Sequence, residues 1–312
     1  MKYECIRSAY GKKLVEAGAV NKNIVALEAD LGKSTMSCMF EKAYPNRFFE
    51  MNIAEQNMAA FAGGLALTGK IPFIHSFAIF ASGRCFEQIR QSIGTAKLSV
   101  KICGSSCGLS DFGDGATHQT IEDIAIMRTI PGMVVLEAVD ANQVEGLVDA
   151  VVAHDGPVYF RMNRSDSPVL TQPGEKFEIG KIYTMREGSD AVIFACGNMV
   201  SIALEAADLL EKQGVSLKVL NVSTLKPLDH EYIKSFADGM KAVLTAEEHS
   251  VIGGLNSAVC QAIAGSFVGP VVAIGMNDCF GFSTLDYQTI LNYFEFTPER
   301  IANDVVKSLG AK

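Results

Sequence analysis

The 312-residue sequence holds several groups of residues whose types and spacing suit chemistry. The first is Asn52-Ile53-Ala54-Glu55-Gln56-Asn57-Met58, a single acid ahead of the run AAFAGGLALTG. A helix that is apolar nearly all round must be buried, and Ala59, Ala62, Gly63 and Ala66 let another backbone approach closely. A carboxyl left unpaired at the edge of such surroundings can take and release a proton near neutrality. Glu55 equally suits a first helical turn, where the macrodipole favours an acid. Local sequence leaves both readings open.

The second group is the loop GLSDFGDGATHQT at 108–120, with Asp111, Asp114 and His118 among its glycines. Gly113 and Gly115 permit unusual backbone angles and close approach by a ligand, and the loop follows a strand, where α/β sheets bind ligands. A long solvated connection is the alternative. Phe77, Phe80 and Phe86 beside Arg84 read as core or as a ligand box. Arg161 and Arg164 close the first half, and their guanidinium forks fit carboxylate or phosphate. Glu247-Glu248-His249-Ser250, leading into Gly253-Gly254, reads as a capped helix start or an interdomain polar cluster. No GxGxxG or GxxxxGK[ST] loop is present.

These groups need a scaffold, and the pattern supplies one. Segments 23–29, 47–51, 71–77, 98–103, 133–136 and 158–161 are strand-like; 2–19, 54–68, 84–93 and 141–154 are helical. Such alternation predicts parallel strands with crossover helices. The stretch SDSPVLTQPGEKFEIGK at 165–181 reads as an interdomain passage, after which the pattern restarts. We expect a first domain over 1–170, a linker over 171–185 and a smaller α/β domain over 186–312.

Composition limits the function. Hydrophobic residues make up 48% and charged residues 20%, which excludes a disordered chain. Net charge −8 argues against a nucleic-acid binder. Lys2, Glu4 and Arg7 interrupt any apolar leader, and glycines with Pro270 break the uncharged run 251–277, so a cytoplasmic chain without membrane spans is expected. The eight cysteines are scattered in apolar context and read as reduced core thiols. Cys103 and Cys107 lack a second pair for zinc, so no protein-held metal is expected.

Taken in order, the motifs resemble the C-terminal half of a transketolase. ALEADLGKS (26–34) resembles the family's ADL loop, and NIAEQNM (52–58) the segment with the thiamine-activating glutamate. DGATHQTIED (114–123) resembles the family's DGPTHQP motif, and EEHSVIGGL (247–255) the opening of its C-terminal domain. The resemblance implies an α/β fold of two domains, a parallel-sheet thiamine-pyrimidine-binding domain followed by a smaller α/β transketolase C-terminal domain. It implies thiamine diphosphate as cofactor, with Glu55 hydrogen-bonding N1′ of the aminopyrimidine. It further implies Phe77 and Phe80 on the ring face, Asp30 nearby, and Phe86 as a third aromatic. Arg7, Ser34 and Arg164 match positions for the sugar phosphate; Asp114 and His118 would contact donor hydroxyls, His118 also as acid/base.

The sequence departs from the family at several points. On an ungapped count the third pocket aromatic falls at Gly83, a usual histidine falls at Ser106, and Ala116 replaces Pro. The 1-deoxyxylulose-5-phosphate synthases share the missing histidine, but THQT follows the transketolase pattern. A 2-oxo acid dehydrogenase β subunit has the same two-domain plan. The family's diphosphate–metal grip, Gly-Asp-Gly followed by Asn-Asn, is incomplete, because no Asn-Asn occurs in the chain. The resemblance therefore implies a separate N-terminal transketolase subunit of roughly 270 residues, a size fitting one large domain, that holds the diphosphate and its Mg²⁺ or Ca²⁺. The expected assembly is α2β2, with this chain forming a homodimer inside it.

Overall fold

In the computed structural model, residues 2–310 are described. Two sheets organise the chain. The larger has seven strands in the order Thr224–Lys226, Val134–Glu137, Val158–Met162, Lys101–Ser105, Ile71–Phe77, Ile24–Glu28 and Phe48–Glu50. All pair in parallel except Thr224–Lys226, which runs antiparallel to Val134–Glu137. Every residue of Ile24–Glu28, Lys101–Ser105 and Val158–Met162 is buried, as strands covered on both faces require. Ile6–Val20 and Ala141–Ala153 cover one face through Ile6, Tyr10, Leu14, Val144 and Leu147. Glu55–Leu67 and Asp123–Thr129 cover the other through Met58, Ala59, Ile124 and Met127.

The smaller sheet has five strands, Val271–Met276, Ala242–Ser250, Ala191–Ala195, Leu217–Asn221 and Tyr183–Arg186, the last antiparallel. The fold is thus α/β with a parallel-dominated domain followed by a second, smaller sheet domain. The uncharged run becomes the helix Leu255–Ile263 and the strand Val271–Met276. Among the described residues no helix is long and apolar enough to cross a membrane. All eight cysteines are free.

Three local features differ from the sequence pattern. Tyr183–Arg186 already belongs to the second sheet, although it begins inside the expected linker 171–185. Its antiparallel partner, Leu217–Asn221, lies far ahead in the chain, so no local signal marks it. Thr224–Lys226, from the second half, completes the edge of the first sheet. The expected helix 84–93 is interrupted: π-helical turns at Phe80–Arg84 and Ile89–Gly94 flank a short helix, Phe86–Gln88. Each wide turn adds a residue to the helical repeat and moves every later side chain around the axis.

Candidate active site

Glu55 opens the helix Glu55–Leu67 and is 2% exposed. Asn52, at φ 54°, turns the chain into that helix, in a conformation that Asn tolerates better than branched residues. The Glu55 carboxyl is paired. Arg84 Nη1 donates to both Glu55 oxygens, at 2.9 and 3.0 Å. The Arg84 guanidinium lies 4.4 Å from the Phe80 ring centroid, in cation–π contact. Phe80 in turn stacks with Phe77, centroids 6.3 Å apart and planes 18° apart.

His118 reaches this aromatic pair from the glycine-rich loop. Its ring stands edge-on to Phe80 at 5.4 Å and to Phe77 at 6.1 Å. Its Nδ1 shares a 2.9 Å hydrogen bond with Thr117 Oγ1. The loop holds this shape because Gly115 (φ 78°) seats against Ser283 and Gly108 (φ 62°) against the Glu248 carboxylate; a Cβ at either would collide.

Arg164 stands on the other side of Phe77, 5.8 Å from its centroid. It donates to Asp111 Oδ1 at 2.7 Å and lies 3.7 Å from Asp114. Burial raises the Asp111 proton affinity, which Arg164 opposes. Arg7 donates to the carbonyls of Ser34 and Arg164, so it ties two loops together. Burial lowers the Arg7 pKa from its ordinary value.

Asp30 sits at φ 59°, and its N–H donates to Glu50 Oε1, which also accepts from Asn52. One carboxylate thus links the Asp30 loop to the segment entering Glu55. Beneath it, buried Glu28 accepts from Ala29 N, Thr35 Oγ1 and Ser37 Oγ, shaping the turn that carries Asp30 and Ser34. Burial pushes its carboxyl up to about 7.

Most expected site residues therefore converge on one edge of the first sheet: Glu55, Phe77, Phe80 and His118 in one cluster, Arg164, Asp114, Arg7 and Ser34 beside it. Phe86 does not join them. The π-helical turn rotates it into the core beside Glu55–Leu67, and Arg84 occupies the stacking position instead. Space around Gly83 is open, and Ser106 is buried at φ 56° without a hydrogen bond from its hydroxyl. Sequence reasoning missed Arg84 as the partner of Glu55, Asp111 as the partner of Arg164, and Glu28. An acid ending an apolar strand was the only local signal for Glu28.

Arg161 belongs to a different place. It is 1% exposed, 3.4 Å from Asp123 and 3.7 Å from Glu137, and donates to the Glu248 carbonyl. Tyr159 donates to Asp123 at 2.6 Å. Glu247 caps the helix Leu255–Ile263 by accepting from Leu255 and Asn256 N–H groups. Glu248 accepts from Leu109 N–H across the domain boundary and from Tyr287 Oη within its own domain. Both readings of the Glu247–Ser250 motif therefore hold. Burial pushes Glu247 and Glu248 up to about 7 and His249 down to about 4.

A parallel sheet with polar residues gathered at the carboxyl ends of its strands, joined to a smaller α/β domain through buried carboxylates, defines a two-domain α/β chain with one polar site. Residues 5–169 match the transketolase pyrimidine-binding domain and residues 180–301 the transketolase C-terminal domain. The chain belongs to the transketolase family. A Methanocaldococcus jannaschii chain bearing the name transketolase C-terminal section is 42% identical over 310 residues, covering 98% of this chain and 97% of that one. A 6-deoxy-6-sulfo-D-fructose transketolase subunit from a Clostridium species is 42% identical, covering 88% and 86%. Human transketolase is 35% identical over 83% of this chain, but only 42% of the human protein is covered. A solved split-gene transketolase, an inactive beta4 tetramer, superposes with TM-score 0.90 at 46% identity, covering 98% of both chains.

Proposed function

We propose that the chain is the C-terminal subunit of a split, thiamine diphosphate-dependent transketolase, moving a two-carbon ketol unit between sugar phosphates with a separate diphosphate-binding subunit. One observation carries the reading: Glu55 meets a planar N–H donor stacked on Phe80, with His118 and Arg164 within reach of the same aromatic pair. That arrangement fits an aminopyrimidine ring. When bound, thiamine diphosphate supplies the electron sink for breaking the sugar's carbon–carbon bond.

This chain's residues do the rest. Glu55 would share a proton with N1′ of the aminopyrimidine and so set the ring's proton balance, a contact that burial would strengthen. Phe77 and Phe80 would hold the ring plane. His118 and Asp114 address donor hydroxyls, with His118 able to hold or pass a proton. Arg164, with Arg7 and Ser34 behind it, meets the phosphate end through charge-assisted hydrogen bonds. Asp30 borders the cofactor. The site is an exposed ledge, with Arg84 44% and Asp114 54% exposed. An open ledge suits completion by a second chain that brings the diphosphate and its metal. The inactive beta4 neighbour and the subunit names of the relatives support this division. The stoichiometry we propose for the active form is α2β2.

The test is thiamine-dependent ketol transfer from xylulose 5-phosphate, measured for the purified chain and for the chain co-expressed with a diphosphate-binding subunit. Activity is expected only for the pair. Full activity of the chain alone would overturn the reading.

A further inference from the structure

We infer that Arg84 is an internal stand-in for the aminopyrimidine ring, a latch that closes Glu55 until the cofactor displaces it. The inference rests on the thiamine reading above and concerns a residue to which that reading assigns no role. Three observations carry it. A single Arg84 nitrogen bridges both Glu55 oxygens, so the carboxylate faces the guanidinium and not solvent. The guanidinium is planar, carries N–H donors on its edge, and lies 4.4 Å from the Phe80 centroid. An aminopyrimidine would present the same flat face to Phe80 and, with N1′ protonated or in the imino form, an N–H to Glu55. Finally, Glu55 is 2% exposed while Arg84 is 44% exposed, so the arginine is the partner free to leave.

The local backbone allows the exchange. Arg84 ends a π-helical turn, a widened turn that brings its side chain back over Phe80. The Arg84 side chain is 44% exposed, so the guanidinium has solvent to swing into. Displacement exchanges the cationic Arg84 donor for N1′ together with one proton taken from solvent, which sits between N1′ and the Glu55 carboxylate. Glu55 is therefore never left bare, an arrangement that would be costly in so buried a position. The latch keeps the Glu55 carboxylate ordered and makes cofactor capture weaker than a free carboxylate would allow. Apparent affinity falls by the fraction of time the latch is open.

The experiment is isothermal titration of the purified full chain with thiamine, with melting temperatures recorded in parallel. Arg84→Met and Arg84→Gln are compared with the native chain; the Gln variant keeps one N–H donor for Glu55 if the Met variant folds poorly. Both are expected to bind thiamine about tenfold more tightly or better, the gain expected from removing a closed state populated at roughly nine-tenths. The added substitution Glu55→Gln should abolish that gain. Unchanged or weaker binding by the Arg84 variants would overturn the latch, because a residue that helps hold the ring loses affinity on removal. Failure of the thiamine reading looks different: the co-expressed pair would then show no thiamine dependence at all, whatever residue stands at 84.

Discussion

Arg161 and Arg164 close the same strand and looked equivalent as guanidinium forks, yet the fold gives them opposite surroundings. Arg161 is 1% exposed among Asp123, Glu137 and the Glu248 carbonyl, at the seam between the two domains. Arg164 is 36% exposed, flanked by Asp111, Asp114 and Phe77, at the open edge. The first has its surroundings filled by the protein itself; the second faces outward with a geometry a ligand anion can share. Burial alone separates a seam from a binding edge here, since residue type and charge are the same. The end of the strand explains it: Arg161 lies inside Val158–Met162, buried along its whole length, while Arg164 lies past its end, where the chain leaves the sheet.

The contrast can be broken experimentally, and the largest effect should fall on the open edge. Glu55→Gln in the co-expressed complex is expected to cut turnover about 10²–10⁴-fold, the loss typical of a proton-handling group. Steady-state ketol transfer reads it, and near-native turnover would remove Glu55 from the chemistry. At the seam, Arg161→Met should destabilise the fold by about 3–5 kcal/mol, because Asp123 and Glu137 lose their buried counter-charge. Denaturant unfolding measures this, and the same substitution at Arg164 should cost less, because the pair it breaks with Asp111 has one partner open to water. Equal losses at both positions would erase the distinction.

Arg164→Ala should instead weaken phosphorylated donors by about 1.5–3 kcal/mol relative to unphosphorylated ones, the worth of a hydrogen bond to a charged group. The comparison of kcat/KM between the two donor classes checks it. The smallest effect is pH dependence at the seam. Glu247 and Glu248 hold protons in the fold up to about pH 7 against an ordinary 4.5. The folded chain then binds more protons than the unfolded one across that window, so stability is full below 4.5 and falls as pH rises through 7. His249, pushed down to about 4 from 6.5, works in the other direction below pH 6.5. Glu248→Gln should flatten the decline, moving the melting temperature at pH 8 relative to pH 5.5 by about 2–4 °C per kcal/mol removed. A melting profile identical to the native one would exclude Glu248 from this linkage.

Much of the architecture was legible because parallel strands buried on both faces read as short apolar runs between amphipathic helices. The motif residues were legible for a related reason: Glu55, His118 and Arg164 each follow a strand or open a helix, where α/β folds gather polar groups. What stayed hidden depends on geometry without a local signature. The pairing of Glu55 with Arg84 joins two elements through space, and the π-helical turn that makes it possible looks like ordinary helix in sequence. Arg161 could not be told from Arg164 without knowing where the strand ends.

The strand Thr224–Lys226 has one more consequence, for anyone dividing this molecule. It pairs with Val134–Glu137 and so occupies the rim of the first sheet from a point well inside the second half of the chain. A fragment cut in the stretch near residue 175 would bare that rim, leaving a row of unmatched backbone donors and acceptors ready to recruit strands from neighbouring molecules. Such a fragment should aggregate even though its own core is intact. The two domains are separate in sequence, but in solubility they form one unit.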